Sequence, residues 1–156
     1  MKNTFFALAT FVLACAMATA CGHHHDHHHD GEIVRIEVVD RGQTDQPVVA
    51  TWTKDGWTGE LPVVSLASTN KRISLGIKAI ADDGDDLIAH DDLEARYALA
   101  SGAPTGIIDV ERDDIFHGDH IHVYGVAAGV TQIRVLIWHD DHADLETDPI
   151  AISVVD

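Results

Sequence analysis

The constraint that most narrows the fold is a period of two. Residues 72–80 place Ile73, Leu75, Ile77 and Ala79 on one face, and residues 93–99 alternate Leu93, Ala95, Tyr97 and Leu99 with Glu94, Arg96 and Ala98. Residues 32–40 set Val34, Ile36 and Val38 against Ile33, Arg35 and Glu37. Side chains that alternate this way leave opposite faces of an extended chain, so one face is buried and the other is wet. Further strands are expected over residues 48–54, 106–111, 120–126, 131–139 and 150–155. Turn signals stand between them, among them Asp55-Gly56 and Ser101-Gly102-Ala103-Pro104. Beyond residue 31 no helical period competes. The expectation is an all-β chain with turns spaced as a β-sandwich requires.

A length of 156 residues suffices for one domain with a real core. The charge balance is lopsided: 26 Asp and Glu against 10 Lys and Arg, a formal net charge of −16 with histidines neutral. Such a surface repels nucleic acid and draws cations, so nucleic-acid binding is set aside. Histidine is abundant, at 12 residues. Both methionines, Met1 and Met17, and one of the two cysteines, Cys15, fall in the first twenty residues. Soft sulfur ligands are therefore nearly absent beyond them, which argues against copper(I). Zinc is favoured, with nickel or copper(II) behind it.

Residues 1–20 read as a signal peptide: Lys2, an apolar run over 5–18, then Ala18-Thr19-Ala20 before Cys21. The run is short for a membrane span and ends in small residues. Cleavage before Cys21 suits ordinary signal peptidase and also a bacterial lipoprotein, whose lipid-attachment cysteine Cys21-Gly22 resembles. Ala18 stands where that pattern usually carries Leu. The expectation is an exported chain, periplasmic or at the cell surface, anchored to the membrane by lipid at Cys21.

Residues 21–31 carry His23, His24, His25, Asp26, His27, His28, His29 and Asp30, the unit His-His-His-Asp written twice. With nothing apolar to bury, this stretch is expected to be a disordered metal-binding tail. A purification tag is the other reading, although the regular aspartates and the place directly behind a leader argue for a native tail.

Two further histidine clusters lie on the strand pattern. The first contains His117, Asp119, His120 and His122; the second contains His139, Asp140, Asp141, His142 and Asp144. His120 and His122 sit two apart and so leave one strand face together. Ile121 and Val123 are expected inward, which turns these histidines outward. Ile133, Val135 and Ile137 are expected inward on the next strand, and His139 continues that face past the core. The candidate metal ligands are His117, His120, His122, His139 and His142, with Asp119, Asp141 and Asp144 completing the site or orienting imidazoles. They form either one bridged site or two neighbouring ones.

Residues 63–156 resemble the bacterial immunoglobulin-like (Big) domains of exported proteins. The likeness rests on Asp82-Asp83-Gly84-Asp85 after a strand, Tyr97-Ala98-Leu99-Ala100-Ser101, Val126-Ala127-Ala128-Gly129-Val130-Thr131-Gln132-Ile133, and the closing Ile150-Ala151-Ile152-Ser153-Val154-Val155. It implies an immunoglobulin-like β-sandwich, preceded here by an N-terminal β-hairpin segment over 32–62. In such a sandwich alternate loops gather at one pole. That would collect His90, the loop holding His117 to His120, and a loop over 139–148. The fold hosts adhesion, spacer and accessory roles alike, so it does not choose a function.

Three function classes follow. The leading one is an extracytoplasmic divalent-metal binding protein that collects or buffers zinc, or hands it to a metal transporter. The second is an adhesion or spacer module whose surface histidines answer to pH. The third is a metalloenzyme. The His-x-His pair is similar to that of copper-zinc superoxide dismutases, but their other ligands and disulfide are missing, and Glu146 is the only nearby glutamate. No catalytic residues are expected, and the chain is not read as an enzyme.

Overall fold

The computed structural model describes residues 31–90, 93–112 and 120–156. Eleven strands are found among them: β1 (Ile33–Asp40), β2 (Val48–Thr53), β3 (Gly56–Gly59), β4 (Val64–Ser65), β5 (Arg72–Ala81), β6 (Leu93–Leu99), β7 (Ile108–Arg112), β8 (His120–Gly125), β9 (Gly129–His139), β10 (His142–Glu146) and β11 (Ile150–Val155). One helical turn, α1 (Leu87–His90), interrupts the acidic connection after β5. Asp86 caps it, its Oδ1 accepting from the amides of Ile88 at 3.3 Å and Ala79 at 3.2 Å.

The strands form two sheets. The larger has the order β3-β2-β1-β5-β8-β7; the smaller runs β10-β9-β11-β4, with β6 on the other side of β9. Their apolar faces meet in one core. Ile36, Leu75, Ile77, Ile121 and Val123 come from the first sheet, and Ile133, Val135, Ile137, Ile152 and Val154 from the second. All ten are nearly or fully buried. The chain is thus an all-β sandwich, as its alternation dictates.

The segment over 32–62 forms the antiparallel hairpin expected of it, and that hairpin is built into the larger sheet. β1 lies between β2 and β5, pairing Val38 with Ala50 on one side and with Ile77 on the other. Two indoles then fasten this hairpin to the second sheet. Trp57 Nε1 donates to the Asp148 carbonyl at 2.7 Å, and Trp52 Nε1 to Asp148 Oδ2 at 3.3 Å. Both tryptophans also pack on the core.

Two expectations change. The alternation assigned Val34 to the buried face, but β1 shifts register against β5 between Ile33 and Arg35. Val34 is left 40% exposed, and Ile33 packs on the core instead. The stretch 139–148, expected as a loop, contains strand β10, which folds straight back on β9 through the two-residue turn Asp140-Asp141. Asp140 takes a φ of 52°, a left-handed conformation that Asp tolerates better than most residues.

Candidate metal centre

The strand β8 carries the first histidine pair. Ile121 and Val123 point into the core, so His120, His122 and Tyr124 share the outer face of the larger sheet. The His120 and His122 rings stand 5.9 Å apart, edge to face, and His122 meets Tyr124 at 6.4 Å in the same manner. Opposite them on β5 lie Gly76, Ser74 and Arg72 in turn. Arg72 reaches over Tyr124, its guanidinium carbon 6.0 Å from the ring centre and Nη1 3.2 Å from the hydroxyl. Gly76 is roofed by its neighbours: an added Cβ would lie 2.7 Å from Val39 Cγ2 and 3.0 Å from Arg41 Cδ. On the other side of β8, the acidic residues Asp109 and Glu111 of β7 pair with Tyr124 and His122.

The second pair stands at the tip of the β9–β10 hairpin. Leu93 and His142 flank His139 on either side. His139 follows Ile133, Val135 and Ile137 along the inward face, and emerges where the core ends. Regular alternation would turn His142 the other way. A bulge between Ala143 and Leu145 inserts Asp144 as an extra residue, letting His142 share a side with His139 while Leu145 still packs on the core.

The bulge places one carboxylate between two imidazoles. Asp144 Oδ1 lies 2.9 Å from His142 Nε2, and its Oδ2 lies 3.8 Å from His139 Nδ1. The ring centres are 6.3 Å apart. Asp141 Oδ1 sits 3.2 Å from His142 Nδ1, and Asp140 Oδ2 lies 3.9 Å from His139 Nε2. His142 thus has a carboxylate at each nitrogen, an arrangement that only the protonated ring can satisfy with two donors. Accordingly its pKa is raised above 6.5, first by the hydrogen bond it donates to Asp141 and next by the charge of Asp144.

The same atoms suit a cation. With Nδ1 donating to Asp141, the ring is oriented and Nε2 keeps a lone pair facing Asp144. Two ligands on a tetrahedral zinc, each about 2.0–2.1 Å from it, stand roughly 3.3 Å apart. The 2.9 Å and 3.8 Å separations bracket that value. Among the described residues, however, no three His, Cys, Asp or Glu side chains converge into a group that could hold a metal ion.

The two pairs are separate. His120 and His122 lie on the outer face of one sheet, and the other sheet, bearing His139 and His142, packs on its inner face. The backbone of the larger sheet stands between them, which removes the single bridged site from consideration for these four residues. His90 closes α1. His117, Asp119, Cys21 and the tail histidines His23, His24, His25, His27, His28 and His29 lie outside the described residues.

Sequence reasoning missed the contacts that brace the hairpin. Arg134 on β9 pairs with Glu146 on β10, and Arg96 on β6 lies 4.0 Å over the Trp138 ring while bonding Glu94. These residues alternate outward beside buried ones, a signal that marks a solvated face but names no partners.

No protein-family model and no curated protein matches the sequence. Among solved structures, the chain is similar to domains 4 and 5 of the S-layer protein SbsC, at 15% identity and a TM-score of 0.44. The likeness covers 63% of this chain and 49% of that one, so the chain spans about half its length. A likeness of that size says nothing about what this chain does.

Proposed function

We propose that this is an exported divalent-metal binding protein, zinc being the favoured ion, that collects or buffers metal outside the cytoplasm. The observation that supports this best is the hairpin cluster, in which Asp144 stands between the coordinating nitrogens of His139 and His142 at ligand-like spacing. The neighbouring carboxylates of Asp140 and Asp141 make that tip attractive to a cation. The β8 pair, at whose far end Arg72 lies over Tyr124, is the weaker candidate. The six tail histidines would add fast-exchanging capacity. Anchoring through lipid at Cys21 would hold the protein at the membrane, where a metal transporter could take up its cargo.

Zinc titration calorimetry on the chain from Cys21 onward tests the reading. Micromolar or tighter binding is expected, lost in part on combined His139→Ala and His142→Ala substitution. Affinity should fall as pH drops through about 6.5, where protons compete for imidazole nitrogen. Affinity no tighter than millimolar in the unsubstituted chain would overturn it.

One observation favours a second reading, a pH-responsive spacer or adhesion module. His142 lies between two carboxylates and has its pKa raised by them, so the hairpin tip gains a charge on mild acidification. Millimolar metal affinity together with a pH-dependent hairpin would select this alternative.

A further inference from the structure

Four stretches of the chain carry no Asp, Glu, Lys, Arg or His: residues 61–70, 97–108, 123–133 and 149–155. In a chain 23% charged, each is unusual alone, and the fold brings all four together. The Leu66 amide donates to the Val155 carbonyl at 2.8 Å, and Val64 pairs with Val154. The Val126 amide donates to the Ile107 carbonyl and the Ala100 amide to the Gln132 carbonyl, both at 2.9 Å. Thr131 Oγ1 donates to the Pro104 carbonyl at 2.7 Å. Gly125 is closed over, since an added Cβ would fall 2.9 Å from both Leu66 Cδ2 and Val154 Cγ1. The four stretches thus build one pole of the sandwich.

This pole is apolar outside as well as within. Val130 on β9 stands opposite Ser153 on β11, and both face out because Thr131 and Ile152 are buried. Val63 precedes Val64, the partner of Val154, and so flanks Ser153 from the other side. Val155 follows on β11, and the connection from β8 to β9 adds exposed Val126, Ala127 and Ala128. Val63, Val126, Val130 and Val155 are each about half exposed. Contiguous apolar surface of this kind marks a place of contact. Lys71, Asp109 and Asp156 stand where the uncharged stretches end.

Charge selects the occupant. His139 lies ten residues along β9 from Gly129, so the hairpin tip with Asp140, Asp141 and Asp144 is roughly 34 Å away, at about 3.4 Å per residue. Asp82, Asp83 and Asp85 follow the end of β5 remote from Arg72, which pairs with Tyr124 beside the uncharged pole. Two copies with a formal net charge of −16 each repel wherever those acidic ends approach. Pole to pole, the acidic ends stand roughly 70 Å apart, against a Debye length of about 8 Å at physiological salt. A basic partner would be drawn to the acidic end, and an anionic membrane is repelled. We propose that the uncharged pole is a homodimer interface, in which two copies meet about a two-fold axis through Val63, Val126, Val130, Val155 and the Ala127-Ala128 bend. Such an isologous contact needs only one self-complementary patch. The patch is small, so the association is weak. It is independent of the metal-binding reading.

Sedimentation equilibrium on the chain from Cys21 onward tests it, with a thiol reductant and a chelator present so that neither Cys21 nor bound metal links copies. Dimers are expected to accumulate between about 10 µM and 1 mM. Val126→Asp with Val130→Asp should weaken the dimer about 10-fold or more, whereas Val34→Asp with Val48→Asp, comparably exposed on β1 and β2, should leave it within about two-fold. Ala127→Glu provides the same test should thermal denaturation show that the valine pair disturbs folding. Raising salt from about 0.05 to 0.5 M should tighten the dimer, because residual repulsion between copies is screened. A monomer at about 1 mM, a dimer that salt weakens, or one that the pole and control substitutions weaken alike would overturn the proposal. A monomer that instead binds neutral phosphatidylcholine vesicles, and loses that binding with Val126→Asp and Val130→Asp, would assign the pole to a lipid surface and overturn it as well.

Discussion

Ile137→Ala probes whether the strand that carries His139 is anchored as described. Ile137 is fully buried on the inner face of β9, with Ala95 of β6 on one side and Leu145 of β10 on the other. The substitution deletes three carbon atoms from the core. At about 0.8 kcal/mol per buried methylene, the lost transfer energy is roughly 2.4 kcal/mol. A residual cavity of about 40 Å³ adds roughly 1 kcal/mol, at about 24 cal/mol per Å³. The expected cost is about 3.4 kcal/mol, against a total stability of about 5–15 kcal/mol for a domain of this kind. At roughly 3–4 °C per kcal/mol for this size, Tm should fall by about 10–13 °C. Ile137→Val, losing one methylene, should cost about 1 kcal/mol. Val130→Ala, on the same strand but 55% exposed, should stay within about 0.5 kcal/mol. Urea denaturation followed by circular dichroism, with the slope of each transition compared, measures all three. If Ile137→Ala costs less than about 1 kcal/mol, or no more than Val130→Ala, the inward assignment of Ile133, Val135 and Ile137 is refuted. The exit of His139 from that face falls with it.

Three other outcomes follow from the hairpin and the leader. His142 should titrate above 6.5 by NMR, and Asp141→Asn should lower its midpoint, because the Asp141 hydrogen bond is the largest cause of the shift. A raised folded-state pKa means that the stabilisation is complete below 6.5 and is lost as pH rises through the folded value, so hairpin stability should increase on mild acidification; a midpoint at or below 6.5 contradicts the geometry. Asp140→Val should cost about 1–2 kcal/mol by forcing a β-branched residue to a φ of 52°, while Asp140→Gly should cost nothing measurable, both read by thermal denaturation. Cys21→Ser should move the protein from the membrane fraction to the soluble extract, since so acidic a chain lacks the basic patch that would otherwise assist one anchor; an unchanged distribution would dismiss Cys21 as the anchor.

Sequence alone determined that the chain folds into strands and which side chains most strands bury. The alternation of Ile73, Leu75, Ile77 and Ala79, or of Ile133, Val135 and Ile137, is a local property, because the pleat assigns faces without reference to any distant residue. For the same reason the outward aim of His120 and His122 was readable, as was the inward line ending at His139. Val34 escaped this logic, since a register shift depends on the partner strand and not on the run itself. The hairpin site escaped it too. His142, Ala143, Asp144, Leu145 and Glu146 hold too little apolar periodicity to announce a strand. The bulge that sets Asp144 between two imidazoles exists only once β10 pairs with β9. Tertiary structure also decided that the two histidine pairs are separate, because which faces of two sheets meet is fixed by the packing of a shared core. It set Arg72 and Asp109 on either side of Tyr124, at the end of the β8 histidine row, from strands distant in sequence. And it paired Ile33 with Ala81, residues 48 positions apart, a contact that no local pattern encodes.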